Sequence, residues 1–174
     1  MKTTENSVNL KIVGDSPAAF SESDLMQFKC LVIHGGQVDQ NKLACRIKKA
    51  KFLVFLWNGD ELIGCAAIKE PGSIYREKTF TNAKLSSEYS AQFPFELGWI
   101  VVRDGYRRFG YARSLISAAM NTHEASKGLF ATTYNPRIQE HLTTFGFQKE
   151  GSSYRSIKNT QEQLSVYLRH SVLK

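Results

Sequence analysis

The residues with the clearest potential for chemistry form a turn at positions 107–112, with the sequence Arg-Arg-Phe-Gly-Tyr-Ala. An apolar segment from Phe95 that predicts a buried strand precedes the turn, and an amphipathic segment that predicts a helix follows it. A helix N-terminus has free backbone N–H groups and the positive end of the helix dipole, so it binds phosphate through the backbone. Gly110 allows close approach of a ligand, the small Ala112 avoids a clash, and the two arginines add positive charge. The turn therefore predicts a pyrophosphate-binding loop; the alternative is an ordinary strand-to-helix connection with solvated arginines.

A second strand-to-helix segment lies downstream of this loop. Leu129–Thr133 predicts a strand, Asn135 has the side chain of a helix N-cap, and Pro136 suits the first helical position. Gly146 lies where a helix C-cap glycine is expected. Both predicted helices show the 3.6-residue period. The residues at helical spacing are Ala112, Leu115, Ile116, Ala119 and Met120 in the first helix, and Ile138, His141, Leu142 and Phe145 in the second.

Arg107, Gly110 and Ala112 form the pattern Arg-x-x-Gly-x-Ala directly after a predicted strand. This pattern resembles the acetyl-CoA signature of the GNAT superfamily of N-acetyltransferases, which is written (Gln/Arg)-x-x-Gly-x-(Gly/Ala). Asp104 and Arg108 depart from the family, because proline and glycine are common at these two positions. The downstream segment resembles the family's next segment, in which an Asn starts a short helix that ends in Gly-Phe. The resemblance covers about residues 50–168.

The resemblance implies an α/β (α+β) fold with a mixed, mostly antiparallel central sheet. This sheet has six to seven strands, is flanked by about four helices, and is splayed at the fourth and fifth strands. We expect a single domain over residues 1–174, because the length suits one domain and no linker or repeat divides the sequence. Residues 70–93 are polar and are expected to form an irregular loop. The resemblance implies that this loop lies near the acceptor entrance. The other predicted elements are strands at residues 8–13, near 148–150 and at 163–169, a hairpin that turns at Asn58-Gly59, and helices that begin at Ser21 and span residues 39–50.

The same resemblance implies acetyl-CoA as the cofactor and CoA as a product. The free backbone groups of the fourth strand are expected to pair with the pantetheine arm as an added strand would. The amides at the start of the following helix are expected to hold the pyrophosphate, and Asn135 to contact the arm as well as to cap its own helix. The predicted cofactor-binding residues are Ile100, Val101, Val102, Arg107, Arg108, Phe109, Gly110, Tyr111, Ala112, Arg113 and Asn135.

Glu96 is the candidate general base. A carboxylate among apolar neighbours is expensive to bury unpaired, so we expect it to line a cavity or to have a partner. In several GNAT enzymes a glutamate on this strand acts as base through a water, eleven residues before the Arg/Gln of the signature, and Glu96 has this spacing from Arg107. Strand alternation predicts that Gly98, Ile100 and Val102 share its face. The alternative is a strand-end glutamate in solvent.

The proton donor for the departing thiolate is the point at which the sequence departs most from the family. Many members carry a tyrosine four residues before the glycine of the Gly-Phe pair, where this chain has Leu142. Leucine cannot donate a proton, so either another group serves or the thiolate leaves unassisted. Tyr134 is the nearest phenol in sequence and is the candidate acid, with a packing role as the alternative; Thr143 or Thr144 would instead hold a water.

The composition bounds the remaining expectations. Three cysteines, Cys30, Cys45 and Cys65, lie in apolar patterns, which predicts buried free thiols and a reducing cytoplasm. No Cys/His cluster has metal-ligand spacing, no apolar run reaches about 18 residues, and no hydrophobic segment near the start resembles a signal peptide. We therefore expect no metal and no membrane span. His34, His123 and His141 are interpreted as helix-end or surface residues without a partner.

The net charge of +7 leaves the role of the basic residues open. The run Arg46, Lys48, Lys49 and Lys51 is a solvated helix face, a site for the 3′-phosphate of CoA, or a surface for a polyanion such as tRNA. We predict direct acetyl transfer, in a ternary complex, to a primary amine on a small molecule, a peptide or an aminoacyl-tRNA. The alternative is a catalytically silent acyl-CoA-binding or nucleic-acid-interacting module on the same fold. If the chain self-associates, a homodimer is the commonest form.

Overall fold

The computed structural model describes residues 9–36, 38–157 and 159–172. These residues form one sheet of seven strands with five α-helices. The strands are β1 (Leu10–Asp15), β2 (Phe52–Asn58), β3 (Glu61–Lys69), β4 (Phe95–Val102), β5 (Leu129–Thr133), β6 (Gln148–Arg155) and β7 (Gln163–Arg169). The helices are α1 (Glu22–His34), α2 (Leu43–Lys48), α3 (Ser73–Asn82), α4 (Tyr111–Met120) and α5 (Pro136–Thr144).

The sheet is mixed and opens in its middle. The strand order is β1-β2-β3-β4-β5-β7-β6, and every neighbouring pair is antiparallel except β4 and β5. These two strands pair at two positions, Phe95 with Leu129 and Glu96 with Phe130, and their pairing then stops. The rest of β4 has no strand on its β5 side within the described chain. This confirms the predicted mostly antiparallel sheet that is splayed at its fourth and fifth strands.

Helices cover both faces of this sheet. α4 and α5 pack on one face, where Leu115 and Leu142 are buried in the largest apolar cluster. α1 and α2 bury Phe28 and Ile47 against the other face. Phe80 of α3 packs in a third cluster that includes residues of β5 and β7. Because burial of these large side chains stabilises each contact, the helices fix the positions of the strands around the opening.

A β-bulge interrupts β4 beside the opening. Between Gly98 and Val101 the strand advances three residues while its partner β3 advances two. Trp99 has a φ of 50°, a left-handed value that is uncommon for a bulky residue. The extra residue re-aims the side chains that follow it.

The bulge overturns one prediction about the strand. Ile100 and Val102 pack on the α4 and α5 face, whereas Trp99 packs on the α1 face. The expectation that Glu96, Gly98, Ile100 and Val102 share one face is therefore wrong beyond Gly98. Simple alternation assumes a regular strand, and one inserted residue inverts it.

Residues 70–93 differ most from their prediction as an irregular loop. They contain α3 and a short 3₁₀ turn, Glu88–Gln92. α3 buries only Thr79 and Phe80, so the apolar periodicity that would predict a helix is weak. The preceding Pro71-Gly72 pair is typical of a turn and further obscures the helix start.

Three other predicted elements have different bounds. β1 lies at the sheet edge and runs from Leu10 to Asp15, and residue 8 lies outside the described residues. α2 is shorter than residues 39–50, because Lys42 at its N-cap has a left-handed φ of 53°. β6 is longer than predicted and extends through a register shift to Arg155.

The cysteines are free, but their predicted burial is only partly correct. Cys65 is buried in the sheet, whereas Cys30 and Cys45 are exposed on α1 and α2. Cys30 and Cys45 lie off the buried stripes of their helices, which are Leu25, Phe28, Leu31 and Val32 in α1 and Leu43 and Ile47 in α2, so an apolar neighbourhood in sequence was not enough to predict burial. In the part of the chain that the structure describes, no cluster of residues could hold a metal ion, and no helix is long and apolar enough to cross a bilayer.

Candidate functional site

The separation of β4 and β5 opens a cleft of about 1080 Å³. We name its two parts the α4 end and the α3 end. The α4 end is lined by Val101, Val102, Arg107, Arg108, Gly110, Tyr111, Ala112, Thr133, Asn135 and Arg137. The α3 end is lined by Arg46, Lys69, Tyr75, Lys78, Thr79, Asn82, Glu96, Tyr154 and Ser156. Because the two ends are continuous, an elongated ligand can contact both.

The backbone at the α4 end has the properties of an anion site. Gly110 is the N-cap of α4 and has a φ of 80°, which favours glycine. The first helical hydrogen bond runs from the N–H of Ser114 to the carbonyl of Gly110, at 3.2 Å. The N–H groups before Ser114 therefore have no partner within the helix. A Cβ at position 110 would have no neighbouring atom within 4 Å, so the space beside these donors is open. The loop thus has the donors and the room that a pyrophosphate needs.

The loop before α4 is held in place by the end of β4. The Nε of Arg107 donates to the carbonyl of Val102 at 3.2 Å, and its Nη2 lies 2.9 Å from Oδ1 of Asp104. Asp104, at the position where the family often has proline, thus orients the signature arginine. Arg108, at the position where glycine is common, has a φ of 72°. Glycine adopts this left-handed conformation freely, whereas Arg108 adopts it at a cost of about 1–2 kcal/mol because it has a Cβ.

The other predicted cofactor residues do not all reach the cleft. Asn135 lines the cleft, and its Oδ1 also accepts a hydrogen bond from the N–H of Arg137 at 3.0 Å, so its N-cap role is confirmed. Phe109 and Arg113 are not among the residues that line the cleft; Phe109 is exposed and stacks on Tyr111. The remaining predicted residues, Ile100, Val101, Val102, Tyr111 and Ala112, line it.

At the α3 end, Glu96 has both a cavity and a partner. Its side chain is 5% exposed, and its Oε2 lies 2.8 Å from the Nζ of Lys69. The register of β3 and β4 pairs these two residues directly across the sheet. Lys69 was not predicted from the sequence, because nothing in the linear spacing links the end of β3 to the start of β4.

Two tyrosines lie within electrostatic range of Glu96. The carboxylate of Glu96 and burial raise the pKa of Tyr75, and the guanidinium of Arg46 partly opposes this. Because the Tyr75 side chain is about half exposed, the negative charge of Glu96 raises its pKa more than burial does. Burial and the same carboxylate raise the pKa of Tyr154 to about 12. Both phenols are therefore protonated donors at neutral pH. Tyr154 was not predicted as a site residue, because it lies in the part of β6 beyond the predicted strand near residues 148–150.

The basic run of α2 is divided between the cleft and the surface. Arg46 lines the cleft, whereas Lys48 pairs with Glu22 and Lys51 pairs with Glu70, each at 2.6 Å, away from it. His34 ends α1 as expected but has a partner, because it lies 3.7 Å from Asp104. His141 lies in the last turn of α5, as expected, and also lines the cleft. His123 is exposed.

Comparison with known protein families shows which family this chain belongs to. The model of the acetyltransferase (GNAT) family matches residues 22–147, which is most of the chain. The chain belongs to the GNAT family of acetyltransferases. No curated protein sequence matches this GNAT chain.

Solved structures agree with the GNAT fold. Escherichia coli ElaA is 16% identical with a TM-score of 0.69, and the match covers 92% of this chain and 99% of that chain. FeeM, an N-acyl amino acid synthase from uncultured soil microbes, is 14% identical with a TM-score of 0.68, covering 93% and 92%. The diaminobutyrate acetyltransferase EctA from Paenibacillus lautus, in complex with L-2,4-diaminobutyric acid and coenzyme A, is 11% identical with a TM-score of 0.62, covering 95% and 98%.

This GNAT chain lacks the family's usual phenol on α5. Leu142 is fully buried in the apolar cluster under α4 and α5. Tyr134 directly follows β5, is 39% exposed and lines the cleft. Cys65 is buried on the α1 side of the sheet, and burial raises the pKa of its thiol strongly. The cleft therefore contains phenols and a carboxylate but no thiolate from this cysteine.

Proposed function

We propose that the chain is an N-acetyltransferase that moves an acetyl group from acetyl-CoA to a primary amine. The observation that carries the proposal is the continuity of one cleft, in which the open backbone donors at Gly110 and the buried carboxylate of Glu96 line the same space. We further propose that residues 1–174 act as one acyltransferase domain, because the sheet draws its strands from residue 10 to residue 169.

The α4 end would hold the cofactor. Its pyrophosphate would accept hydrogen bonds from the first-turn amides of α4, with Arg107 and Arg108 adding positive charge. The unpaired edge of β4 at Ile100–Val102 would pair with the amide-bearing arm as an added strand. Within the described chain, β5 pairs with β4 only at Phe95 and Glu96 and leaves this edge open. When bound, acetyl-CoA supplies the thioester whose carbonyl carbon is the electrophile.

Glu96 at the α3 end would accept one proton, and Tyr134, between Thr133 and Asn135 at the α4 end, would donate the other. The amine nitrogen forms a C–N bond to the acetyl carbon, and the C–S bond breaks. Glu96 receives the proton that the amine loses, through a water, and Tyr134 is the candidate donor to the sulfur. Cys65 is a fully buried neutral thiol and is not among the residues that line the cleft, which supports direct transfer without a covalent enzyme intermediate.

Two similar structures support acyl transfer to an amine. EctA is described as a diaminobutyrate acetyltransferase with coenzyme A, and FeeM as an N-acyl amino acid synthase. Both share the fold with this chain at low identity, so they support the reaction class rather than a substrate. The three free cysteines support a reducing, cytoplasmic location.

Calorimetric titration with acetyl-CoA tests the cofactor half of the proposal. We expect binding by the wild type and its loss in Gly110→Glu, because a carboxylate would occupy the space beside the amides. Gly59→Glu is the matched control: Gly59 also has a positive φ, of 58°, and open space, but lies in the β2–β3 turn. If the wild type does not bind, or if both variants bind equally, the assignment of the loop is wrong.

Release of CoA in the presence of primary amines tests the second half of the proposal, which is acetyl transfer to an amine. The alternative function, a silent acyl-CoA-binding module, is favoured by the burial of Leu142 at the family's tyrosine position. Binding of acetyl-CoA without release of CoA for any amine would support that alternative.

A further inference from the structure

Lys69 places a positive charge inside the α3 end of the cleft. Its side chain is 17% exposed, its Nζ pairs with Glu96 at 2.8 Å, and the Nζ lies 5.0 Å from the centre of the Trp99 ring. The backbone leaves room for it: a Cβ at Gly98 would lie 2.8 Å from both Cε and Nζ of Lys69. The bulge, the glycine and the carboxylate therefore act together to hold one ammonium group beside Glu96.

This pair changes the type of acceptor that the cleft attracts. The formal charges of Lys69 and Glu96 cancel, so the buried carboxylate does not by itself attract a cation. An ammonium group has three donors, and Glu96 uses one of them. The free donors of Lys69 can bind an anionic group that enters the cleft.

The other charges at this end are also mainly positive. Lys78 lies on the face of α3 that also carries Tyr75, Thr79 and Asn82 into the cleft, and Arg46 faces it from α2. Neither Lys78 nor Arg46 forms an ion pair in the described part of the chain; Arg46 donates only to the backbone carbonyl of Asp39. With Lys69 and Glu96 cancelling, two basic side chains face the single carboxylate of Asp39.

We propose that the acceptor carries a carboxylate on the same carbon atom as its amine, as an α-amino acid does. The ammonium of Lys69 binds this carboxylate, and the adjacent Glu96 takes the proton of the amine. The adjacent positive and negative groups of the protein thus match the adjacent negative and positive groups of the acceptor. This inference rests on the proposed acetyl transfer and specifies its substrate class.

The same charges disfavour other amines. A polyamine brings only positive charge to an end of the cleft whose summed charge is positive, so its binding is opposed. An uncharged amine leaves the Lys69 donors without an added partner. A carboxylate on a distant carbon reaches Lys69 with its amine beside Glu96 only by folding back, which costs the conformational freedom of the intervening bonds.

The test compares acceptors in matched pairs. We would measure acetyl-CoA-dependent release of CoA with L-phenylalanine and phenethylamine, L-leucine and 3-methylbutylamine, L-lysine and 1,5-diaminopentane, and L-glutamate and 4-aminobutyrate. The members of each pair share a side chain, and only the amino acid has the carboxylate beside its amine. We expect kcat/KM to be at least about tenfold higher for the amino acid of the accepted pair, which is the usual effect of a charge-assisted hydrogen bond. Equal or faster reaction of the simple amine would overturn the inference, and so would the absence of turnover with every pair.

Variants then assign the preference to Lys69. Lys69→Met should raise KM for the amino acid by about ten- to a hundredfold more than KM for the matched amine, because any effect that passes through Glu96 falls on both substrates. Lys69→Arg should retain most of the preference. Gly98→Ala keeps Lys69 but places a Cβ against its Cε and Nζ, so it should reduce the preference for the amino acid over the matched amine. This variant tests the inference even if Lys69→Met, which leaves Glu96 unpaired, fails to fold. Lys51→Met removes an ion-paired lysine outside the cleft and should leave kcat/KM unchanged for both substrates.

An equal loss for both members of a pair in Lys69→Met and Gly98→Ala would mean a structural role for Lys69 and would overturn the inference. Acetyl-CoA titration separates this failure from failure of the proposed function. If acetyl-CoA binds but the carboxylate has no effect on turnover, only the acceptor class is wrong. If acetyl-CoA does not bind, the proposed function is wrong as well.

Discussion

Glu96 is the single residue on which the proposed proton transfer depends most directly. Glu96→Gln keeps the shape of the side chain and an oxygen that can accept from Lys69, but removes the basic carboxylate. We expect kcat to fall by about 10²–10⁴-fold, which is the usual contribution of a positioned acid or base. The affinity for acetyl-CoA should not change, because the substitution lies at the α3 end of the cleft. Steady-state kinetics with calorimetric titration checks both, and a kcat within twofold of the wild type would contradict the role.

Tyr154 gives a prediction about stability at alkaline pH. Its folded pKa is about 12, above the ordinary value of 10, so the folded state binds the phenolic proton more tightly than the unfolded state. Its stabilising effect is therefore fully present below pH 10 and is lost as the pH rises from 10 to 12. Tyr154→Phe has no such proton, so its free energy of unfolding should decline less over this window. Urea unfolding at several pH values compares the two proteins, and parallel declines would contradict the prediction.

At the scale of the elements, the features that the sequence predicted are those set by residues close together in the chain. The loop before α4 and the N-cap of α5 depend on residues within a few positions of one another, so Gly110 and Asn135 could be assigned directly. The opening between β4 and β5 was also expected, but through family resemblance rather than from the periodicity. The buried position of Leu142 followed from the apolar stripe of its own helix.

The features that the sequence did not predict depend on contacts between elements. The ion pair of Lys69 with Glu96 is set by the register of two strands that are far apart in sequence. The bulge at Trp99 depends on the same register and inverts the faces of the residues after it. α3 buries only two side chains, so a window of sequence contains too little apolar pattern to reveal it. The acceptor end of the site was therefore much less predictable than the cofactor loop.

For the whole molecule, the excess of positive charge is relevant where it borders the cleft. The net charge is +7, and Arg107, Arg108 and Arg137 line the α4 end while Arg46 and Lys78 line the α3 end. Other basic residues are neutralised locally, as Lys51 is by Glu70. A positive field along one cleft raises the local concentration of anionic ligands and speeds their association.

This distribution predicts that acetyl-CoA binding depends on salt. The phosphates of acetyl-CoA interact with exposed arginines, and these interactions are screened as the Debye length shortens from about 10 Å at 0.1 M to about 3 Å at 1 M ionic strength. We expect the Kd for acetyl-CoA to rise several-fold as NaCl increases over this range. S-acetylpantetheine, which has the arm but no phosphates, is the matched ligand, and its weaker affinity should change little. If both ligands respond equally to salt, the arginines at the α4 end do not contact the phosphates. In that case the affinity comes from the pairing of the arm with β4.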